Sequence, residues 1–239
     1  MSTTYALDAT HDNVAHVPAG TPYVIGYDSG TPDIQWTAQD WARFPGSYVI
    51  HNYQGYGYPG DVTDALVDQT HEVDVETGAL TAAEAAHFIS LRVARGWQWT
   101  GVYGSDSTLA LVAAATEALG SGIWIGHVVC RLANWNLNYS EAAALIGQQV
   151  HGITCVGVQY ASPTSNPHTL IPGTQTDLET AQVDMSVVNT DWINYVSQRI
   201  TAPAPPAPPA PRRAIVVELP DGPSLPADST DNGKTWTVS

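Results

Sequence analysis

HEVDVETG, residues 71–78, reads as an apolar strand running into a glycine-bearing turn, and it carries Asp74 and Glu76 on either side of Val75. Side chains alternate across a strand, so both carboxylates point the same way, with Cα atoms roughly 6.5–7 Å apart. Two anions aimed together from the end of a buried strand are costly unless something uses them. The stretch therefore predicts a fold that gathers strand ends into a site.

Similar apolar runs recur along the chain: YVIGYDSG, SYVIHNYQG, HEVDVETG, TGVYGS, IWIGHVVC, ITCVGVQYAS and AQVDMSVVN. They begin at Tyr23, Ser47, His71, Thr100, Ile123, Ile153 and Ala181, about 22 to 30 residues apart. That spacing is the rhythm of βα units, and near-continuous apolar strands fit a parallel sheet covered on both faces. Between them, LTAAEAAHFISLRVARG opens with Thr81 and Glu84 at capping-box spacing. DSTLALVAAATEALG is expected to start at an Asp106 cap and stop at Gly120, and YSEAAALIGQQVHG to run from Ser140 to near Gly152. After Tyr160 the segment ASPTSNPHTLIPGTQTDLET is rich in Pro and Thr and has no helical period. The expected fold class is α/β, a TIM-like (β/α) barrel that is helix-covered in its first part and loop-connected late. Seven strands are legible, one short of eight, and a doubly wound open sheet is the alternative architecture.

TAPAPPAPPAPRR, residues 201–213, favours a semi-rigid polyproline spacer. The expected organisation is an N-terminal arm over 1–21, the barrel over 22–200, the linker over 201–213 and a short tail over 214–239. The tail has a strand-like run from Ile215 to Leu219, a DNG turn and a closing KTWTV, and it is too small for a core of its own. Its natural role is to dock on a partner or to join a homo-oligomeric assembly.

Eight Lys and Arg stand against 23 Asp and Glu, a formal charge of −15. This balance argues against nucleic acid and against anionic membrane surfaces as partners. No apolar run approaches the ~20 residues of a membrane span. The start, MSTTYALDATHDNVAHV, reads as neither basic nor apolar enough for a secretory signal. Cys130 and Cys155 match no metal or CxxC spacing and are expected as buried thiols, a disulfide being open to them only if their strands are neighbours. No nucleotide loop or serine-nucleophile elbow occurs, and no cofactor is expected.

In parallel α/β folds, ligands bind at the carboxyl ends of the strands. Reading those ends gives Asp28, Tyr53, the Asp74/Glu76 pair, Tyr103, His127, Gln159 with Tyr160, and Asp184. The loop NYQGYGYPG adds Tyr56, and RLANWNLNY adds Trp135. Crowded carboxyls suit glycoside cleavage, in which one carboxyl, its pKa raised by its neighbours, protonates the leaving oxygen and another stabilises the developing positive charge. Flat aromatic rings offer the stacking surface that sugars favour. Acids satisfied by hydrogen bonds at strand ends, and a divalent metal held by the same acids, are the competing readings.

The order YVIGYDSG, HEVDVETG, GVYGS, WIGHVV, VQYAS, QVDMSVV resembles lysozymes of glycoside hydrolase family 25, and more closely the short lysozyme-like domains of actinobacteria and their phages. The resemblance implies a barrel with five βα units and three late strands, acting on peptidoglycan glycan strands. It makes Asp28 the first-strand acid, Asp74 and Glu76 a D-x-E pair with Glu76 as proton donor, and Asp184 the last-strand acid. It matches Gln159 and Tyr160 to the family's Q-Y strand, expected to bind substrate; Tyr53, Tyr56, Tyr103 and Trp135, read from the strand ends and rim loops, are expected to line the same cleft. The implied setting is a virion, with the tail bound to other virion proteins and the barrel to cell-wall glycan. A structural or adhesive virion protein that keeps the barrel without turnover is the rival reading.

Overall fold

Thr3–Asp8 (β1) is a strand of the main sheet, paired in parallel with Tyr23–Tyr27 (β2) and antiparallel with Asp184–Asn189 (β9). Residues 1–21 are thus not an arm; they supply the strand that the sequence reading lacked. The computed structural model describes residues 2–28, 30–44, 48–53, 64–119, 126–200 and strand residues 215–217, 225–229 and 236–238, with side chains described at 2–28, 30–44, 67–119 and 126–196. Met1–Ala202 forms one unit and Pro203–Ser239 another. The Pro-rich spacer 201–213, the NYQGYGYPG loop from residue 54 onward and the start of IWIGHVVC lie outside the described residues.

The other strands of the sheet are Tyr48–Tyr53 (β3), Glu72–Asp74 (β4), Thr100–Ser105 (β5), Val128–Ala133 (β6), Gln149–Val150 (β7) and Ile153–Ala161 (β8). β1 to β6 pair in parallel in sequence order. β6 also pairs in parallel with β8, which pairs antiparallel with β9. Followed from β1 through β6, β8 and β9, the neighbours return to β1. The fold is mixed α/β around a curled sheet. A regular barrel of eight parallel strands is not what these pairings make, because β9 runs against its neighbours.

Seven helices occur among the described residues: Ala38–Trp41 (α1), Asp64–Gln69 (α2), Ala82–Ala94 (α3), Asp106–Glu117 (α4), Tyr139–Leu145 (α5), Leu178–Ala181 (α6) and Thr190–Ile200 (α7). Capping boxes start three of them, at Thr37/Asp40, Thr81/Glu84 and Asn138/Glu141. The cap of α4 is Ser105 rather than Asp106; its hydroxyl accepts from the Thr108 N–H at 3.3 Å. α5 stops well before Gly152 because the chain turns into a hairpin. β7 and β8 flank His151 (φ 51°) and Gly152 (φ 83°), two left-handed residues of the kind that match hairpin twist. The long loop-like stretch after Tyr160 holds only the four-residue α6 between β8 and β9.

Among the described side chains, β2, β4, β5, β6, β8 and β9 are buried on both faces, and the contacts separate the two. One cluster, with Leu7, Val24, Val73, Val102, Leu132 and Val187, includes the α3 and α4 side chains Phe88, Ile89, Leu109 and Val112 and lies outside the sheet. The other holds Ala6, Ile25, Val129, Val156 and Val188 with Trp192, Ile193 and Val196 of α7. Since Thr3 is level with Asn189, α7 leaves β9 at the end where the parallel strands begin, and it closes the sheet's interior there. The other end of the interior, toward the strands' carboxyl ends, is where Asp8, Asp74 and Asp184 stand.

Cys130 and Cys155 are free, buried and directly opposite each other across β6 and β8. His127 precedes β6 instead of ending it, and its Nδ1 lies 3.0 Å from the Gln98 carbonyl, at the end opposite the acids. The tail forms a three-stranded antiparallel sheet of Ile215–Val217 (β10), Leu225–Ser229 (β11) and Trp236–Val238 (β12), with the DNG turn outside the described residues.

Candidate functional site

Toward the carboxyl ends of the parallel strands, one fully buried guanidinium meets carboxyls from two strands of the sheet. Arg131 of β6 is 0% exposed. Its Nε donates to Glu72 Oε1 at 3.0 Å, and its Nη2 donates to Glu72 Oε1 at 2.7 Å and lies 3.0 Å from Asp8 Oδ2. Its Nη1 donates to Gln159 Oε1 at 2.7 Å and to Ser186 Oγ at 3.2 Å. The guanidinium carbon sits 4.1 Å from the centre of the Tyr103 ring, a cation–π contact. Two glycines make room for this layer. A Cβ on Gly101 would come within 2.7 Å of the Glu72 Cβ, and one on Gly157 within 3.0 Å of the Arg131 Cγ. A shift in register between Cys130 and Arg131 is what brings Gly157, and not Val156, opposite Arg131.

Glu72, Asp74 and Glu76 stand at alternate positions, so they form one column on the interior side of β4 and its extension. Glu72 and Asp74 are buried, whereas Glu76 reaches the surface and receives a hydrogen bond from Tyr103. Asp8 ends β1 and is hydrogen-bonded by Tyr27. Asp184 starts β9, which runs antiparallel, so the first residue of that strand lies at the same rim as the last residue of β1; Asp8 and Asp184 are partners across the ladder. Gln159 Nε2 donates to Asp184 Oδ2 at 2.6 Å.

One cation cannot balance five carboxyls, and the titration behaviour follows. Burial pushes Asp8 and Glu72 upward while Arg131 pulls both back. Burial would by itself make Arg131 easier to deprotonate, but Glu72 and Asp8 more than reverse that, so it stays charged. Asp74 is raised well above the carboxylate range, first by burial and then by the charge of Glu76. Glu76 is raised by burial. Asp184 is pushed up to about 7, by burial and then by Asp8. Arrays of this kind hold protons near neutral pH and are common in catalytic clefts.

The acid that ends the first strand of the sheet is Asp8, whereas Asp28 follows the second strand. Asp28 follows β2, next to the inward-reaching Tyr27, and its Oδ2 accepts a hydrogen bond from the Thr70 hydroxyl at 2.9 Å. Tyr160 follows the inward Gln159 and so faces the outer cluster; it is 6% exposed and packs edge-on against Tyr139 at 6.0 Å. Its ring is packed in the outer cluster and does not face the interior acids. Tyr103 is 4% exposed and serves Arg131 and Glu76 from within. Trp135 is half-buried on the loop after β6, at the rim. Tyr53 ends β3 with its side chain outside the described ones, and Tyr56 lies outside the described residues altogether.

Glu72, Asp8, Arg131, Tyr27 and Ser186 were not singled out from sequence. Two signals were available: the alternation E-x-D-x-E over residues 72–76, and a lone arginine inside the apolar strand VVCRLA. Among the described residues, three metal-ligating side chains come within 4.8 Å of one another only at His168, Asp177 and Glu179, on the surface. The acids of the interior are spread around Arg131 instead of being gathered as a cage. No helix among the described residues is long and apolar enough to cross a membrane. Neither a family model, nor a curated protein, nor a solved structure matches the chain.

Proposed function

We propose that the chain is a lysozyme-like glycoside hydrolase domain that cleaves peptidoglycan glycan strands, built on a TIM-like (β/α) barrel and carried by a phage particle to which its tail attaches. The observation that carries this reading is the convergence of Asp8, Asp74, Glu76 and Asp184, from the first, fourth and last strands of the curled sheet, at one end of its interior. The resemblance read from sequence asks for an acid on the first strand, a D-x-E pair on a middle strand and an acid on the last. With Asp8 in place of Asp28, all of these positions are filled at one rim.

In this reading Asp74 and Glu76 share one proton through neutral pH, because two neighbouring carboxyls in a desolvated site do not both ionise readily. Glu76 is the outlet of that proton, since it alone of the pair reaches the surface. It protonates the glycosidic oxygen as the C–O bond breaks, and positive charge develops at the anomeric carbon. The ionised Asp184 faces that charge and takes the proton of the water that adds there. Asp8 and Glu72, both held by Arg131, keep the interior negative and favour the cationic transition state over the neutral sugar. Release of reducing ends from purified peptidoglycan by the full chain tests the proposal.

A further inference from the structure

The Arg131 guanidinium is held within the protein on every side: Nε and Nη2 donate to Glu72, Nη1 donates to Gln159 and Ser186, and Nη2 also forms an ion pair with Asp8 Oδ2 at 3.0 Å. One of these contacts reaches past its immediate partner. Gln159 presents Oε1 to Arg131 at 2.7 Å and Nε2 to Asp184 Oδ2 at 2.6 Å. Turning that amide over would set its NH2 group against a guanidinium and its carbonyl against a carboxylate, two repulsive contacts in a buried place. The cation therefore dictates which end of Gln159 faces Asp184. Gln159 is 2% exposed and spans the interior between β6 and the start of β9, so it has no freedom to serve a sugar instead.

We propose that Arg131 and Gln159 are positioning residues that touch no substrate: Arg131 locks the Gln159 amide so that its Nε2 holds the Asp184 carboxylate in place for the reaction. This rests on the hydrolase reading for what Asp184 does, but not for how it is held. A donor fixed on Oδ2 orients the carboxyl and favours its ionised form. Burial and the charge of Asp8 oppose ionisation, and Gln159 works against them. Gln159 was expected from sequence to bind substrate; the geometry gives it a different task.

The test is an NMR titration of the side-chain carboxyl carbons of the full chain, with the Asp184 signal assigned by its loss in Asp184→Asn. Gln159→Leu keeps the volume and removes the donor. Gln159→Glu keeps an acceptor for Arg131 but turns a second acceptor toward Asp184. The Asp184 midpoint is expected to rise by about one pH unit or more in Gln159→Leu and further in Gln159→Glu. Arg131→Lys, which keeps the charge but loses the fork that orients the amide, is expected to raise it less. If the wild type hydrolyses peptidoglycan, the ascending limb of the kcat profile of each Gln159 variant lies higher than that of the wild type by the same interval, with KM unchanged. A folded Gln159→Leu or Gln159→Glu chain whose Asp184 midpoint is unmoved or lower overturns the proposal. A wild type without hydrolysis sinks the hydrolase reading and leaves the titration result standing.

Discussion

Gly157 lies directly against the stem of Arg131: a Cβ there would stand 3.0 Å from the Arg131 Cγ and 3.3 Å from its Cβ and Cδ. The stem cannot move aside, because the guanidinium at its end is fixed on Glu72, Asp8, Gln159 and Ser186. Gly157→Ala is therefore expected to destabilise the chain by about 1–3 kcal/mol, the ordinary cost of overpacking. Urea unfolding followed by tryptophan fluorescence checks this; a midpoint equal to that of the wild type would show that the layer is not tightly packed.

Arg131 itself stands at the centre of the interior charges. Arg131→Met leaves Glu72 and Asp8 buried without a counter-charge, and a loss of about 3–5 kcal/mol is expected. Adding Glu72→Leu should recover part of that loss, since one of the two stranded anions is then gone. Denaturant midpoints of the wild type, the single and the double variant measure both effects. A double variant less stable than the single one contradicts this view of the layer.

Asp184 gives a pH dependence whose sign can be worked out. Its proton is held more tightly in the folded chain, up to about 7, than at the ordinary value of 3.8 for an aspartate. The folded state thus keeps a proton that the unfolded chain has already released. The resulting stabilisation is complete below about pH 3.8 and is lost as pH rises through about 7. Asp184→Asn has no such proton to lose, and its Oδ1 can still accept from Gln159. The variant is expected to melt at a higher temperature than the wild type at pH 8, with the difference shrinking or reversing at pH 5. A difference that does not change between these pH values would show that Asp184 is not perturbed.

Much of this was legible in the sequence, and what was not has a physical cause. The capping box at Thr81 and Glu84 and the spacing of the apolar runs identify helices and strands because they act locally. β1 escaped because only the last three residues of TTYALD are buried, too few to stand out as an apolar run. Its absence from the count made Asp28 look like the first-strand acid and left the set of eight neighbours around the curl incomplete. The facing of β8 escaped for another reason. Its residues from Cys155 to Ala161 are all buried, so burial does not say which side is the interior. Only the contact of Gln159 with Arg131 places Gln159 inside and Tyr160 outside. The same ambiguity hid Arg131, since an arginine in VVCRLA reads equally well as a residue facing solvent.

The central claim is that the proton shared by Asp74 and Glu76 leaves through Glu76 to cleave a glycosidic bond. Reducing ends released from purified peptidoglycan, measured from pH 4 to 9 for the wild type and Glu76→Gln, test it most directly. The wild type is expected to be active, with a rate that rises as Asp184 ionises near pH 7 and falls at higher pH as the shared proton is lost. Glu76→Gln is expected to lose activity by 100-fold or more, on the order of removing a general acid, while melting no lower than the wild type. A wild type that releases no reducing ends at any pH, together with a Glu76→Gln variant that is clearly destabilised, would contradict the account and make the carboxyl column a structural element of an adhesive protein.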